Sequence, residues 1–393
     1  MIRFIALGGF LGAGKTTTMI AAARLLEARG RRVAVITNDQ GTELIDTRLA
    51  RARLAPMAGG PVDGTAGGGA AVGEVTGGCF CCRFDDLMDV AAGLLDAGTA
   101  DTVLAEAVGS CTDLQATVIR PLGAYYGTRF APAPLTVVVD PDRYRALGSA
   151  LPLHDREDDL AYLFGHQLEE ADIIAVNKAD LMPGAERERL VDGLSRRYPD
   201  ATVLAYSARR GDALEDLVDA WEAPSRPGRT VDIDYDRYAA AEAGLAWFNR
   251  TYTVTGRPDY SPERWARAAL AHLSRAAERA GWAVGHVKIS VDTAAGLTKA
   301  GFVTGGAAPV VDLAPDALVA RTGRAILNAR IACEPAAMDA AATDAVAAAD
   351  GLTGAVSTPA PAPAPAGGDG DPGIAFKPGY PRPVHRLTGS APS

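Results

Sequence analysis

Residues 9–16 place glycines and a Lys-Thr pair at a spacing suited to binding phosphate groups. The run Gly9-Phe-Leu-Gly-Ala-Gly14-Lys15-Thr16 matches G-x-x-x-x-G-K-[ST] in full, between an apolar run and a helical pattern. The glycines let backbone N–H groups turn toward phosphate oxygens, and the helix N-terminus adds partial positive charge. We expect Lys15 to reach the β- and γ-phosphates and Thr16 to coordinate Mg²⁺. The predicted phosphate-loop contacts are Gly9, Gly12, Ala13, Gly14, Lys15, Thr16 and Thr17.

A second motif predicts which base is bound. Asn177-Lys178-Ala179-Asp180 follows an apolar run and has the form N-K-x-D. The Asp180 carboxylate can accept hydrogen bonds from N1–H and the exocyclic amine of guanine, whereas adenine would leave it unpaired. The stem of Lys178 can lie over the ring, and a backbone N–H of Ser207-Ala208 fits the guanine carbonyl. Alone, the motif is also compatible with a charged turn, but behind a phosphate loop it indicates GTP.

Two acidic residues follow predicted strands and complete the nucleotide site. Asp39 is placed to orient Mg²⁺ or the attacking water. Glu106 is placed to hold the water shell of the metal, while the N–H of Gly109 meets the γ-phosphate. With Lys15 these carboxylates are the catalytic candidates, and with Thr16 they are the Mg²⁺ candidates. The alternative for each is a solvated loop carboxylate.

Three cysteines in four positions suggest a metal site. They are Cys79, Cys81 and Cys82, and with five cysteines in all the chain does not resemble a disulfide framework. Thiolates select Zn²⁺ and other thiophilic ions, and three ligands leave a fourth tetrahedral position open for transfer. A structural zinc site completed by a fourth residue and a thiol redox pair are the alternatives. Cys111 is either that fourth ligand or a packing residue.

The predicted helices and strands that must position these residues indicate an α/β fold. Helical stretches, among them 15–28 and 213–221, alternate with strand-like runs, which predicts a mostly parallel sheet covered by helices on both faces, as in P-loop NTPases. The glycine-rich segment 58–73, just before the cysteines, is expected to be flexible. The predicted strands are 2–7, 32–37, 102–104, 135–139, 173–176 and 203–206.

The sequence after residue 224 predicts a smaller C-terminal α+β domain. One helix opens at Ser261-Pro262, with strands expected at 248–254, 284–291, 301–304 and 325–332 and a terminal helix at 336–349. The expected domains are a GTPase domain at 1–224, the α+β domain at 225–350 and a Pro/Ala/Gly-rich flexible tail at 351–393.

The charge and hydrophobicity of the sequence limit the classes of partner that we expect. The net charge is −9 and no Lys/Arg-rich run stands out, so we expect no nucleic-acid partner. No apolar run approaches the roughly 20 residues that span a bilayer, so we expect no membrane partner and a cytoplasmic protein.

Five motifs together carry a resemblance to a known family. GGFLGAGKTT, TNDQG, GGCFCC, EAVG and NKAD, in this order within residues 1–222, resemble the CobW-type GTPases, whose family includes the HypB and UreG nickel-insertion proteins. The resemblance implies GTP hydrolysis that controls transfer of a divalent metal from C-x-C-C to a client. By position, Cys79, Cys81 and Cys82 take the metal role; Lys15, Thr16, Asp39, Glu106, Asn177 and Asp180 take the nucleotide roles. After Gly109 the chain departs from the family, with Ser-Cys-Thr-Asp where many members have a run ending in proline.

We therefore expect a GTP-dependent metallochaperone with Mg²⁺ as cofactor and Zn²⁺ or Co²⁺ as cargo. The expected partner is a client metalloprotein or cofactor enzyme. The sequence does not decide whether the protein also forms a GTP-dependent homodimer. One alternative is a GTPase activator of a cobalamin-dependent enzyme. Another is a non-catalytic, nucleotide-gated interaction module in which the cysteines hold structural zinc.

Overall fold

The computed structural model of the protein describes residues 1–39, 45–54, 70–96, 100–148, 158–223, 233–316, 318–360 and Ala375. Among these, Cα proximity separates two compact units. The first holds residues 1–39 and 46–238, and the second holds residues 239–360 with Ile45 and Ala375. None of the described helices combines the length and apolarity needed to cross a bilayer.

A parallel sheet forms the centre of the first unit. Its strand order is β3-β2-β4-β1-β6-β7-β8, with β5 also paired to β1, and every pairing is parallel. The sheet confirms the predicted α/β fold class. The strands are β1 (Ile2–Gly8), β2 (Val33–Asp39), β3 (Ala71–Thr76), β4 (Thr102–Glu106), β5 (Phe130–Pro132), β6 (Thr136–Val139), β7 (Ile173–Val176) and β8 (Thr202–Ala205).

Helices connect these strands and cover both faces of the sheet. Every residue of β4, β6 and β7 is buried, which requires cover on both faces and explains why these strands read as continuous apolar runs. The helices are α1 (Lys15–Ala28), α2 (Ile45–Leu54), α3 (Phe84–Asp96), α4 (Arg120–Tyr126), α5 (Pro141–Leu147), α6 (Asp159–Glu170), α7 (Gly184–Arg197) and α8 (Leu214–Ala220). A further helix, α9 (Tyr235–Ala243), begins in the first unit and ends in the second.

The predicted flexible segment 58–73 was wrong at its C-terminal end. Residues 71–73 belong to β3, which pairs along its whole length with β2. The glycine that made this stretch look like a loop has a packing role. A Cβ atom on Gly73 would lie 2.5 Å from Cγ1 of Val90 in α3, so glycine lets that helix approach the sheet. Residues 58–69 lie outside the described residues.

The parallel sheet brings the chemistry-bearing loops together. In a parallel sheet the carboxyl ends of all strands meet at one edge, where ligands bind in open α/β folds. The turns that leave this edge include residues 9–14 after β1, 77–83 after β3, 107–113 after β4, 177–178 after β7 and 206–208 after β8.

The second unit is an antiparallel sheet with helices. The described strands follow the order β12-β11-β10-β13-β9-β14. Helix α10 begins after Ser261, whose side chain accepts from the backbone N–H of Arg264, and it ends at Gly281 in the left-handed conformation. The elements are β9 (Ala246–Tyr260), α10 (Pro262–Ala280), β10 (Val284–Thr293), β11 (Gly296–Phe302), β12 (Val310–Leu313), β13 (Ala320–Ile331), α11 (Pro335–Thr353) and β14 (Ala355–Pro359).

Three expectations for this region were wrong. Among the described residues this sheet has six strands where about four were expected, because β12 and β14 were missed. The run 301–304 contains only the last two residues of β11, which begins at Gly296 and ends at Phe302. The tail expected from 351 does not begin there, since α11 continues to Thr353 and Ala355–Pro359 pair with β9. The rest of the predicted tail, apart from residue 360 and Ala375, lies outside the described residues.

Candidate nucleotide and metal site

The phosphate loop has backbone conformations that only glycine adopts easily. Gly9, Gly12 and Gly14 have φ angles of 126°, 80° and 94°. A Cβ atom on Gly9 would lie 2.3 Å from the carbonyl oxygen of Val138, and one on Gly14 would lie 2.4 Å from Nδ2 of Asn177. Helix α1 starts directly after this loop with no side-chain cap. Its first N–H groups therefore face the loop and suit an anion.

The polar side chains at the start of α1 are buried against the loop and β4. The Nζ of Lys15 donates to the carbonyl oxygens of Gly9 (2.7 Å) and Phe10 (3.3 Å). The Oγ1 of Thr16 donates to Oε1 of Glu106 at 2.9 Å. An ammonium, a hydroxyl and a carboxylate, each less than 10% exposed, thus lie at the loop that the sequence predicts for phosphate binding.

Asn177 joins three loops. Its Nδ2 donates to the carbonyl oxygen of Ala13 (3.0 Å), and its Oδ1 accepts from the backbone N–H of Ala208 (3.0 Å). The N–H of Ser207 donates to the carbonyl oxygen of Asp212 (2.9 Å). Both N–H groups expected near the guanine carbonyl are therefore used inside the protein, so these hydrogen bonds do not favour the predicted contact by Ser207 and Ala208.

Lys178 is held by a partner that the motif does not contain. It has a positive φ of 61°, and its Nζ donates to the carbonyl oxygen of Gly12 (3.0 Å) and forms an ion pair with Oδ2 of Asp140 (2.5 Å). The other oxygen of Asp140 accepts from the backbone N–H of Asp142 at the start of α5. The Lys178 stem is thereby fixed across the phosphate loop. Asp180 lies beyond it in a short 3₁₀ turn, Ala179–Leu181.

The cysteine loop after β3 is held by the side chain of Asn38 in β2. Nδ2 of Asn38 donates to the carbonyl oxygens of Val75 (3.0 Å) and Gly78 (2.7 Å), and its Oδ1 accepts from the N–H of Phe80 (3.0 Å). The carbonyl oxygen of Cys79 then accepts from two successive backbone N–H groups, which closes the turn. Asn38 thus fixes the loop that carries the thiols.

The thiols converge in this turn. The Sγ atoms of Cys79, Cys81 and Cys82 all lie within 4.8 Å of one another, close enough to share one metal ion. Cys79 is buried, whereas Cys81 and Cys82 are partly exposed. Cys111 lies next to this group, because its Sγ is 3.9 Å from that of Cys81.

Contacts among the thiols shift the pKa values of Cys79 and Cys81 in opposite directions. Hydrogen bonds from Cys111, and then from Cys81 and Cys82, hold the pKa of Cys79 well below its usual value. Hydrogen bonds with Cys111 and then Cys79 raise the pKa of Cys81 well above its usual value. One thiol of the group therefore ionises before its neighbours, and a thiolate is the form that binds metal.

The nucleotide portion of the chain matches a known family. Residues 3–205, just over half of the chain, match the family model described as CobW/HypB/UreG, nucleotide-binding domain. The chain belongs to this family. The resemblance expected from the five motifs is thus confirmed.

Relatives of this CobW/HypB/UreG family member include a zinc chaperone. The chain is 32% identical over 225 residues to the zinc chaperone CobW of Pseudomonas aeruginosa, a match that covers 52% of this chain and 56% of that protein. The chain therefore spans about half the length of this curated relative.

Two solved structures with distant similarity contain bound metals. HypB from Helicobacter pylori in complex with nickel is 17% identical, with 56% of this chain and 84% of that one covered and a TM-score of 0.37. Zn(II)-bound YjiA GTPase from E. coli is 16% identical, with 89% and 98% covered and a TM-score of 0.36. Likenesses this distant say nothing about the activity of the family member described here.

The loop after β4 lies close to the phosphate loop of this family member. A Cβ atom on Gly109 would lie 2.5 Å from Cδ2 of Leu11 and 2.9 Å from its backbone nitrogen. Glu106 and Gly109 are therefore both next to the phosphate loop, whereas Asp39 is described only by its backbone, which pairs with Thr76 at the end of β2. The Asp39 side chain and residues 40–41, the last two of the TNDQG motif, lie outside the described residues.

Sequence reasoning missed four residues that order this site: Asn38, Asp140, Gln167 and Tyr206. The buried Tyr206 hydroxyl lies 2.6 Å from Oγ1 of Thr18 in α1, and burial raises the pKa of Tyr206. Asn38 and Asp140 had a usable signal, since each is a polar residue at the carboxyl end of an apolar run. Gln167, whose Nε2 donates to the carbonyl oxygens of Gly109 and Cys111, had no such signal, because it lies within α6, far along the chain.

Proposed function

We propose that this protein binds and hydrolyses GTP and that the nucleotide controls transfer of Zn²⁺ or Co²⁺ from its cysteine cluster to a client protein. One observation carries the proposal. The chain segment from Glu106 to Cys111 contacts Thr16 at one end and the thiol cluster at the other. A nucleotide held by the phosphate loop and a metal held by the thiols would therefore act on the same short segment.

For the nucleotide, the residues present fit GTP with Mg²⁺. The Thr16 hydroxyl and the Glu106 carboxylate are adjacent oxygen donors, the ligand type that Mg²⁺ prefers. When bound, Mg²⁺ neutralises charge on the β- and γ-phosphate oxygens. Lys15 would leave its loop carbonyls to bind the same oxygens, and Asp180 would select guanine.

Hydrolysis needs an ordered water and stabilisation of the negative charge on the phosphate oxygens as the bond between the γ- and β-phosphates breaks. Water attacks the γ-phosphorus, the bond to the β-phosphate oxygen breaks, and GDP and phosphate leave while the proton passes to phosphate or solvent. Lys15 and the N–H groups of α1 stabilise the negative charge. Asp39, from its position at the end of β2, is our candidate for orienting the water.

The metal part of the proposal follows from thiol chemistry and exposure. Cys79, Cys81 and Cys82 supply soft sulfur donors, which favour Zn²⁺ or Co²⁺ over Mg²⁺. Because Cys81 and Cys82 are partly exposed, a client thiol or imidazole can reach a metal bound there. The relative named a zinc chaperone supports this cargo.

The decisive experiment measures metal affinity in two nucleotide states. Full-length protein is loaded with a non-hydrolysable GTP analogue or with GDP, and its affinity for Zn²⁺ and Co²⁺ is measured by competition with a chromophoric chelator. We expect tighter binding with the analogue, and loss of the difference in Lys15→Ala. Equal affinities in both states would overturn the coupling, and no phosphate release from GTP would overturn the hydrolysis.

The burial of Cys79 favours a second candidate function, a nucleotide-gated interaction module with structural zinc. Metal sites with buried ligands commonly stabilise a fold. In that case Cys79→Ser unfolds the protein and a chelator lowers its melting temperature strongly. A transfer site instead loses metal with little change in melting temperature.

A further inference from the structure

A fourth cysteine lies against the three of the C-x-C-C motif. Cys111 is fully buried, and its Sγ is 3.9 Å from Sγ of Cys81. We propose that Cys111 is a fourth metal ligand, so that the cargo ion is bound by four thiolates; this inference rests on the proposed function.

The sulfur spacing fits a shared metal. Zn–S bonds of about 2.3 Å at tetrahedral angles place the sulfurs about 3.8 Å apart. The distance between Cys81 and Cys111 is already 3.9 Å. The sulfurs of Cys79, Cys81 and Cys82 lie within 4.8 Å of one another, so Cys111 adds to three thiols that are already close enough to share one ion.

The backbone of Cys111 is fixed so that its thiol stays at the cluster. Nε2 of Gln167 in α6 donates to the carbonyl oxygens of Gly109 (3.0 Å) and Cys111 (2.8 Å). The N–H of Cys111 donates to the carbonyl oxygen of Val108 at 2.9 Å. These two hydrogen bonds from a buried amide restrain the loop that carries Cys111, and partners outside the ligand set commonly orient the ligands of metal sites.

The position of Cys111 in the chain gives this ligand a distinct consequence. It lies five residues after Glu106, which accepts from Thr16, and two residues after Gly109, which packs on Leu11 of the phosphate loop. The other three ligands are on a different loop, after β3. A shift of the loop after β4 would therefore change the number of sulfur ligands from four to three and convert a closed site into an open one.

The test counts sulfur ligands. Full-length protein is reduced, titrated anaerobically with Co²⁺ alone and examined by its thiolate-to-cobalt charge-transfer absorption, and the Zn²⁺ form is examined by X-ray absorption. We expect four sulfurs in the wild type and three in Cys111→Ser, with Co²⁺ affinity lowered roughly 10- to 100-fold or more, because even supporting residues of metal sites contribute that much. Cys333→Ser, which alters a thiol of the second unit, is the matched control and should bind as the wild type does.

The outcomes separate this inference from the proposed function. Three sulfurs in the wild type, or unchanged affinity in Cys111→Ser, would overturn the role of Cys111 and leave the three-cysteine transfer site intact. Binding of neither Co²⁺ nor Zn²⁺ by the wild type would overturn both. If Cys111→Ser fails to fold, judged by circular dichroism, the sulfur count of the wild-type zinc form still decides.

Discussion

Replacing Asn38 by alanine tests whether this buried amide organises the metal site. Asn38→Ala removes three hydrogen bonds, two donated to the carbonyl oxygens of Val75 and Gly78 and one accepted from the N–H of Phe80. At about 1 kcal/mol net for each bond, the cysteine loop loses about 3 kcal/mol of stabilisation. Since the thiols converge only when this loop is ordered, metal has to restore that order when it binds.

The resulting loss of affinity can be calculated. If the whole 3 kcal/mol is drawn from metal binding, the Kd for Zn²⁺ rises roughly 100-fold, which is the upper limit. Competition with a chromophoric chelator measures this change directly. GTP binding, measured with a fluorescent analogue, should change far less, because Asn177 and Lys178 contact the phosphate loop from other strands.

Asn38→Asp is a companion variant that keeps the size of the side chain and changes only its hydrogen-bonding groups. Its carboxylate retains the acceptor for Phe80 but removes both bonds donated by Nδ2, so its Zn²⁺ affinity should be low as well. If Asn38→Ala binds Zn²⁺ as tightly as the wild type, the loop does not depend on this amide and the reasoning is refuted. A cooperative melting curve for each variant confirms that the fold is retained.

Three further predictions concern other contacts. Asp140→Asn weakens the ion pair with Lys178 and should lower affinity for a fluorescent GDP analogue about tenfold, a loss that Lys178→Met should share; unchanged affinity would show that the pair is not used. Gly73→Ala places a Cβ against α3 and should destabilise the protein by about 1–3 kcal/mol in urea unfolding, whereas the control Gly93→Ala meets open space and should not. Burial raises the pKa of Glu170 to about 8, above its unfolded value, so its stabilising contribution is complete below about pH 4.5 and is lost as the pH rises to about 8. Melting temperatures from pH 5 to 8 should fall more for the wild type than for Glu170→Gln, and parallel curves would refute this.

Contiguous motifs made the nucleotide site predictable. The glycines, Lys15 and Thr16 occupy one turn, so their spacing in sequence already specifies their arrangement in space. The strand and helix on either side, β1 and α1, were predicted because apolar residues change from a continuous run to helical periodicity at Gly9.

Contacts set by strand pairing could not be predicted in the same way. Asn38 reaches Val75 because β2 pairs with β3. The strand β3 was not predicted, because Gly73 and the glycines before it were interpreted as a flexible loop. The contact between Cys81 and Cys111 likewise depends on β4 lying beside β2 in the sheet. The motif could identify three thiols, but only the strand order brings the fourth to them.

In the second unit, strand ends were hard to predict because they are polar and exposed. The prediction 248–254 captured only the middle of β9, whose last residues alternate little and include Arg257, Pro258 and Asp259. The short strand β12 has a mixed sequence, and its residues are exposed or half-buried. Neither stretch has the apolar alternation on which strand prediction depends.

The ends of the second sheet have a consequence for self-association. Its outermost strands are β12, which lies between Pro309 and Pro315, and β14, which ends in Pro359. Proline has no N–H to donate, and short strands bounded by it offer little backbone for an incoming chain to pair with. Although Val356 on β14 is 63% exposed, strand addition at either margin is therefore disfavoured. A GTP-dependent homodimer is therefore not expected to form by joining two copies of this second sheet edge to edge.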